Sequence, residues 1–121
     1  MRMTNFPLIE MAESDVCGPA VAPRLGDAET EHFANVFRAI SHPVRLRLLD
    51  LISQGGGRLC SCDIEAHFDL TQPTISHHLK TLRDAGLLQA EPRGVYVMYE
   101  INRPLLASVQ GILMLLNNSG R

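Results

Sequence analysis

The hydrophobic positions along this chain predict helices before anything else. Phe33, Phe37 and Ile40 recur at helical spacing, so we expect a first helix that Asp27 caps and that ends near Ser41. A second helix starts with the proline at position 43, because a residue without an N–H is tolerated in a first turn. The apolar stripe of this second helix comprises Val44, Leu48, Leu51 and Ile52.

Turn residues divide the rest of the chain. The three glycines at 55–57 end the second helix. Residues 58–60 predict a short extended segment, and residues 62–68 predict a third helix with Ile64 and Phe68 facing inward. A tight turn after this helix leads into a fourth.

Two strands and a last helix complete the pattern. Leu87–Ala90 and Val95–Ile101 have the composition of strands, and Glu91–Gly94 is a natural hairpin turn between them. The last helix is predicted over Pro104–Asn117. Its apolar stripe comprises Leu105, Leu106, Val109, Ile112, Leu113 and Leu116.

The fourth predicted helix, Thr71 to Ala85, has two unlike faces. Ile75, Leu79 and Leu82 fall on one side, and the opposite side carries short hydrogen-bonding groups. A helix with such a free face, placed after a tight turn and before a hairpin, is typical of the recognition helix of a DNA-binding protein. The predicted fold is therefore a winged helix-turn-helix, mainly α with a β-hairpin wing.

The side chains on the free face suggest how DNA is contacted. Gln72 and His77 are expected to read base edges, and Arg93 at the wing tip is expected to reach a minor groove or the backbone. Phosphate contacts are expected from Thr71, Thr74, Ser76 and Lys80. His78 is expected to pack against the body of the protein. The alternative is a capped surface helix whose polar side chains are only solvated.

Length and charge refine this picture. A chain of 121 residues with 45% hydrophobic and 20% charged residues fits one globular domain. The net charge is −2, but residues 1–31 hold two arginines against six acidic residues, a charge of −4, which leaves +2 for the rest. The negative charge therefore lies toward the N-terminus. We expect an N-terminal arm at 1–26 and a DNA-binding and dimerisation domain at 27–121.

No stretch of the sequence has the character of a membrane or export segment. The longest uninterrupted apolar run, Ile112–Leu116, is far below the roughly 18 residues of a spanning helix. Acidic residues interrupt the N-terminus before any signal-like stretch. A cytoplasmic protein without membrane contact is expected.

Three cysteines supply the candidate chemistry. Cys60 and Cys62 would point to one side of an extended segment, so both sulfurs could converge on one soft ion. Cys62 also opens a helix, whose N-terminal dipole favours the thiolate. The plainer interpretation is that the cysteines are small buried hydrophobes.

Three stretches of the sequence resemble the ArsR/SmtB family of metal-responsive repressors. They are residues 39–49, residues 70–80, which read LTQPTISHHLK, and residues 85–87. The resemblance covers about residues 30 to 116 and implies a homodimer, paired through its first and last helices. It also implies binding to a palindromic operator in double-stranded DNA and release when an inducer arrives.

The resemblance also sharpens the cysteine site. Arsenic-responsive members carry Cys-x-Cys at the start of the helix before the recognition helix, often with another cysteine three residues on, where this chain has Glu65. We therefore expect a site of Cys17, Cys60 and Cys62, and trivalent arsenic or antimony as inducer. Three sulfurs suit these ions, which bind three soft ligands in a pyramid.

Other inducers remain open at this point. Cadmium, lead or zinc would need more ligands, with His32, His42 or His67 available for a fourth position. The family's Asp, His and Glu zinc and nickel site has no counterpart in residues 104–117. A thiol redox switch would require Cys17, because a Cys60–Cys62 disulfide would be a strained ring.

Two functions outside metal sensing are alternatives to the repressor. An enzyme, such as a thiol oxidoreductase, is not expected, because the chain has no Cys-x-x-Cys, no nucleophile–base pairing and no loop for an organic cofactor. A constitutive DNA-binding regulator with inert cysteines would have the same fold, so its response to metals would separate it from the expected repressor.

Overall fold

The computed structural model describes residues 21–118. Its helices are α1 (Asp27–Ile40), α2 (Pro43–Gln54), α3 (Ser61–Glu65), α4 (Gln72–Asp84) and α5 (Arg103–Asn117). Its strands are β1 (Arg58–Cys60), β2 (Leu88–Arg93) and β3 (Tyr96–Ile101). The predicted order and type of elements are confirmed, as is the helical fold with a β-hairpin wing.

The three strands form one antiparallel sheet in the order β1-β3-β2. β1 pairs with β3 through Arg58–Glu100, Leu59–Tyr99 and Cys60–Met98, a long-range pairing that joins the segment before α3 to the wing. The thiol-bearing segment and the wing therefore belong to the same sheet.

The predicted turn at Glu91–Gly94 is wrong. Strand β2 continues to Arg93, which pairs with Tyr96, and the turn is Gly94 and Val95 alone. Gly94 has a positive φ of 65°. Glycine adopts such a positive φ readily at the first position of a two-residue hairpin loop. Pro92 fits inside the strand because β2 is an edge, where a proline nitrogen can face away from the ladder.

Two helix boundaries also differ from the prediction. Gly26, not Asp27, is the N-cap of α1, and the Glu29 carboxylate accepts a hydrogen bond from its N–H at 3.1 Å. Helix α3 ends at Glu65 instead of continuing to 68, because His67 N–H bonds to the Ile64 carbonyl three residues back, which closes a tighter turn. Phe68 nevertheless packs against the core as expected.

Helix α4 ends in a Schellman motif. Leu87 N–H donates to the Leu82 carbonyl and Gly86 N–H donates to the Arg83 carbonyl. Gly86 has a φ of 87°, the left-handed conformation that this motif requires. The motif turns the chain directly from the recognition helix into the wing.

One hydrophobic core joins these elements. It comprises Val36, Ala39, Leu48, Leu49, Ile52, Ile64, Ile75, Leu79, Leu82, Leu87, Leu88, Ile101 and Val109. Helix α5 contributes only Val109 as a buried residue, and Leu113 and Leu116 are 52% and 64% exposed. In the described part of the chain, no helix is both long and apolar enough to cross a membrane.

Candidate functional site

Helix α4 presents the two faces that its sequence predicts. Ile75, Leu79 and Leu82 are buried in the core. The seven predicted DNA contacts are all exposed: Thr71, Gln72, Thr74, Ser76, His77, Lys80 and Arg93. Six of them lie on or at the start of α4, and Arg93 lies beside the wing turn.

Several of these polar side chains already have partners within the chain. Thr71 caps α4, since its Oγ1 accepts from Thr74 N–H at 3.3 Å and lies 2.9 Å from Thr74 Oγ1. Gln72 Nε2 donates to Glu65 Oε2 at 3.2 Å, which ties the start of α4 to the end of α3. The sequence pattern indicated exposure but could not show these local contacts.

The two cationic side chains in the set are held by carboxylates. Lys80 Nζ lies 2.7 Å from Asp84 Oδ2, one helical turn on. Arg93 Nη2 lies 3.3 Å from Glu91 Oε1. Exposed pairs of this kind contribute little to stability, so both cations can exchange their carboxylate for a phosphate at small cost.

His78 turns inward from the same helix, as predicted. It is 8% exposed, and its Nδ1 lies 3.3 Å from Nη1 of Arg45 in α2. Burial lowers the pKa of His78, and the nearby His42, Arg45 and His77 lower it further. Arg45 was not singled out from the sequence, because its partners lie on elements far along the chain.

The two thiols lie together where β1 meets α3. Cys60 is the N-cap of α3: its Sγ accepts from Cys62 N–H at 3.3 Å and lies 2.7 Å from Cys62 Sγ. The sulfurs converge because the chain turns from strand into helix at this point. The expectation that both cysteines lie in one extended segment is wrong. Cys60 ends strand β1, but Ser61 and Cys62 are already helical.

The roles of the two thiols are the reverse of the expected ones. The contact with the Cys62 thiol, and after it the hydrogen bond from the Cys62 backbone N–H, lowers the pKa of Cys60. The same thiol contact raises the pKa of Cys62. The contact between the two thiols is thus the main cause of the difference, and the backbone N–H that Cys60 accepts as the N-cap of α3 adds to it.

Ser61, between the two cysteines, connects them to the wing. Its Oγ accepts a hydrogen bond from Val97 N–H in β3 at 3.2 Å. Sequence reasoning treated this residue as a spacer, and no local signal identifies it, because its partner is 36 positions away. The thiol site is thus anchored to the sheet on both sides of Cys60.

The full predicted metal site extends outside the described residues. Cys17 lies there, whereas Cys60 and Cys62 are free thiols within them. Over residues 21–118, no three His, Cys, Asp or Glu side chains are grouped to hold a metal ion. Within that range, His32, His42 and His67 are not grouped with the two thiols. His42 Nδ1 instead caps α2.

Comparison with known proteins agrees with this architecture. A family model described as "Bacterial regulatory protein, arsR family" matches residues 42–90. An arsenical resistance operon repressor from Staphylococcus xylosus is 37% identical over 89 residues, which cover 74% of this chain and 84% of that protein.

Solved structures agree as well. A crystal structure of AntR, an antimony-specific transcriptional repressor, superposes with a TM-score of 0.61 at 25% identity and covers 84% of this chain and 93% of its own. A homodimeric winged helix-turn-helix DNA-binding domain from Mycobacterium bovis has a TM-score of 0.61 at 24% identity, with the same coverage of 84% and 93%.

Proposed function

The chain belongs to the arsR family of bacterial regulatory proteins, and we propose that it is a repressor that binds operator DNA as a dimer and releases it on binding trivalent arsenic or antimony. The single observation that carries the inducer part is the pair of sulfurs 2.7 Å apart at the start of α3, the helix directly before the recognition helix. Such a protein acts on the chromosome, so the proposed location is the cytoplasm.

In the proposed complex, α4 lies in the major groove. Gln72 and His77 read base edges, and Thr71, Thr74, Ser76 and Lys80 contact phosphates. Arg93 reaches the neighbouring minor groove or backbone from the wing. The weak carboxylate pairs of Lys80 and Arg93 support this proposal, because a phosphate can replace each carboxylate.

Metalloid capture uses Cys60, Cys62 and Cys17. Arsenous acid exchanges three hydroxyl groups for three thiolates, so three As–S bonds form and each thiol proton leaves with a hydroxyl as water. Cys60 is the more acidic thiol and makes the first bond, since the thiolate is the metal ligand. Cys17 supplies the third sulfur from the N-terminal arm.

Release of DNA follows from the position of the thiols. Cys60 lies in β1, which pairs with β3 of the wing, and Ser61 Oγ accepts from Val97 N–H. Gln72 connects the other end of α3 to α4. An ion that draws Cys60 and Cys62 into a pyramidal geometry would therefore shift both the recognition helix and the wing.

Dimerisation is proposed through α1 and α5. The exposed Leu113 and Leu116 lie at helical spacing from the buried Val109, so the apolar stripe of α5 continues beyond the chain's own core. A second copy would cover this stripe and place two recognition helices against a palindromic operator.

The decisive experiment is fluorescence anisotropy of reduced, full-length protein on a palindromic duplex selected by the protein from a random-sequence pool. Titration with arsenite or antimonite should release the DNA from the wild-type protein. C60S and C62S should bind DNA within about threefold of wild type and require at least about tenfold more arsenite for release, because each lacks one sulfur ligand. DNA that stays bound to the wild type in arsenite and antimonite would refute the metalloid proposal.

Cys17 is tested separately with C17S. An arsenite response reduced to that of C60S would support a three-cysteine site, and an unchanged response would remove Cys17 from it. Parallel titrations with cadmium, lead, zinc and hydrogen peroxide test the other inducers. Release by one of these with no response to arsenite would replace the metalloid with that inducer.

A further inference from the structure

His78 is the one buried polar side chain among the described residues, and it lies on the inner face of the recognition helix. Its Nδ1 is 3.3 Å from Arg45 Nη1. A guanidinium has only donors, so this imidazole nitrogen must be the acceptor and carry no proton. The contact therefore requires a neutral His78 with its proton on Nε2.

The same guanidinium holds the end of α1. Arg45 Nε donates to the Ala39 carbonyl at 2.6 Å, and Nη2 donates to the Arg38 carbonyl at 3.5 Å. The last carbonyls of a helix lack the N–H partner that the interior ones have, and Arg45 supplies a donor to that of Ala39. The Arg38 carbonyl also accepts from Ser41 N–H at 3.2 Å, so Arg45 is its second donor. One side chain of α2 thus connects the C-terminus of α1 to the recognition helix.

A second imidazole at this junction has the same requirement. His42 caps α2, with Nδ1 accepting from Val44 N–H at 3.1 Å. Its ring centroid lies 4.5 Å from that of His78. A proton on either Nδ1 removes a hydrogen bond that holds the junction together.

The charges around His78 oppose a proton there. His42 and Arg45 face it from the α2 side, and His77 faces it from α4 itself. The concavity beside Arg45 is lined by the charged Arg38 of α1 and Asp84 of α4, among others. Of these groups only Asp84 is acidic, and its carboxylate is paired with Lys80.

We propose that Arg45 and His78 are positioning residues for DNA binding: the neutral His78 imidazole fixes α4 at the angle that meets DNA, and proton uptake at this junction weakens binding. The proposal rests on the DNA-binding part of the proposed function and is independent of the metalloid response. Arg45 and His78 act through α4 and do not touch DNA.

The direction of the pH effect follows from the hydrogen bonds. The DNA-binding arrangement holds no proton on His78 Nδ1, and burial lowers the pKa of this imidazole. Affinity is therefore full well above the unperturbed histidine pKa of about 6.5 and is lost as the pH falls through the lowered pKa of His78. The uptake of one proton can lower the DNA affinity by at most about tenfold per pH unit.

The test is anisotropy on the same selected duplex, without metal, at constant ionic strength, from about pH 8 to about pH 5.5, with helicity followed by circular dichroism. Wild-type affinity should fall several-fold, by up to about tenfold, while helicity is unchanged. H78N should bind at pH 8 and lose most of this fall, because the Asn Oδ1 replaces Nδ1 as an acceptor that cannot be protonated. H77N should bind more weakly, because it lacks a proposed base contact, but should keep the fall in affinity.

A second pair of variants tests the same inference if H78N folds poorly. R45K keeps the positive charge but lacks the guanidinium, whose three nitrogens donate to the Ala39 and Arg38 carbonyls and to His78 Nδ1. It should therefore lose about tenfold in DNA affinity at pH 8 and show a flatter pH profile. R47K, on the same helix and exposed, should behave as wild type.

The outcomes separate the two proposals. A wild-type affinity independent of pH, an H78N profile equal to wild type, or an R45K profile equal to R47K would overturn the inference and leave the proposed repressor intact. Failure of the wild-type protein to bind any duplex at pH 8 would overturn DNA binding itself.

Discussion

Individual polar residues in this protein serve the fold and the proposed DNA interface at once. Thr71 is the N-cap of α4 as well as a proposed phosphate contact, and Gln72 joins α3 to α4 as well as facing outward. The sequence predicted the exposure of both, because exposure follows from helical periodicity. It could not predict their partners, which depend on how the two helices meet.

Replacement of Thr71 by alanine tests its role as the N-cap of α4. T71A loses the hydroxyl that accepts from Thr74 N–H, so the free energy of unfolding should fall by about 1 kcal/mol. T71S retains a capping hydroxyl and should lose much less. Urea unfolding monitored by circular dichroism measures both values, and equal stability of T71A and wild type would contradict the capping role.

At the scale of elements, local pattern and long-range contact account for different parts of the structure. Within residues 21–118, the periodic stretches predicted each of the five helices and both wing strands, since each carries its own apolar spacing. The pairing of β1 with β3 and the Ser61–Val97 hydrogen bond were not predictable, because they join segments more than 30 positions apart. Likewise, Cys60 was identified as a ligand but not as the cap of α3.

The Ser61 contact predicts a residue that couples the thiols to the wing. S61A leaves Val97 N–H without its partner and should cost about 1 kcal/mol of unfolding free energy. S61T keeps the hydroxyl and should restore most of it. Calorimetry measures the stability of both variants.

The same variants test the coupling itself. The ratio of operator affinities without and with arsenite should fall several-fold in S61A, because the ion would then move α3 without moving β3. In S61T the ratio should stay near the wild-type value. A wild-type ratio in S61A would mean that the wing is not part of the switch.

For the whole molecule, the uneven burial of α5 indicates that one chain is an incomplete unit. Val109 is buried at 7% exposure, yet Leu113 and Leu116 on the same side of the helix are 52% and 64% exposed. Residues 32–121 carry a charge of only +2, so one chain has little attraction for DNA, and the positive surfaces of two copies on one duplex would add together. Both observations favour a dimer as the DNA-binding species.

A charge placed on the exposed stripe of α5 should therefore dissociate the dimer and weaken DNA binding together. L116E would bury a carboxylate against apolar surface, a cost that the dimer avoids by separating. M114E is the matched control, because Met114 is 66% exposed on the same turn but points away from the stripe.

Sedimentation velocity should report a monomer for L116E and a dimer for M114E. In anisotropy, L116E should lose at least about tenfold in affinity for a palindrome but little for a single half-site. Only the palindrome offers a second half-site, to which the recognition helix of a linked second copy can bind. A dimeric L116E would place the subunit interface elsewhere on the molecule.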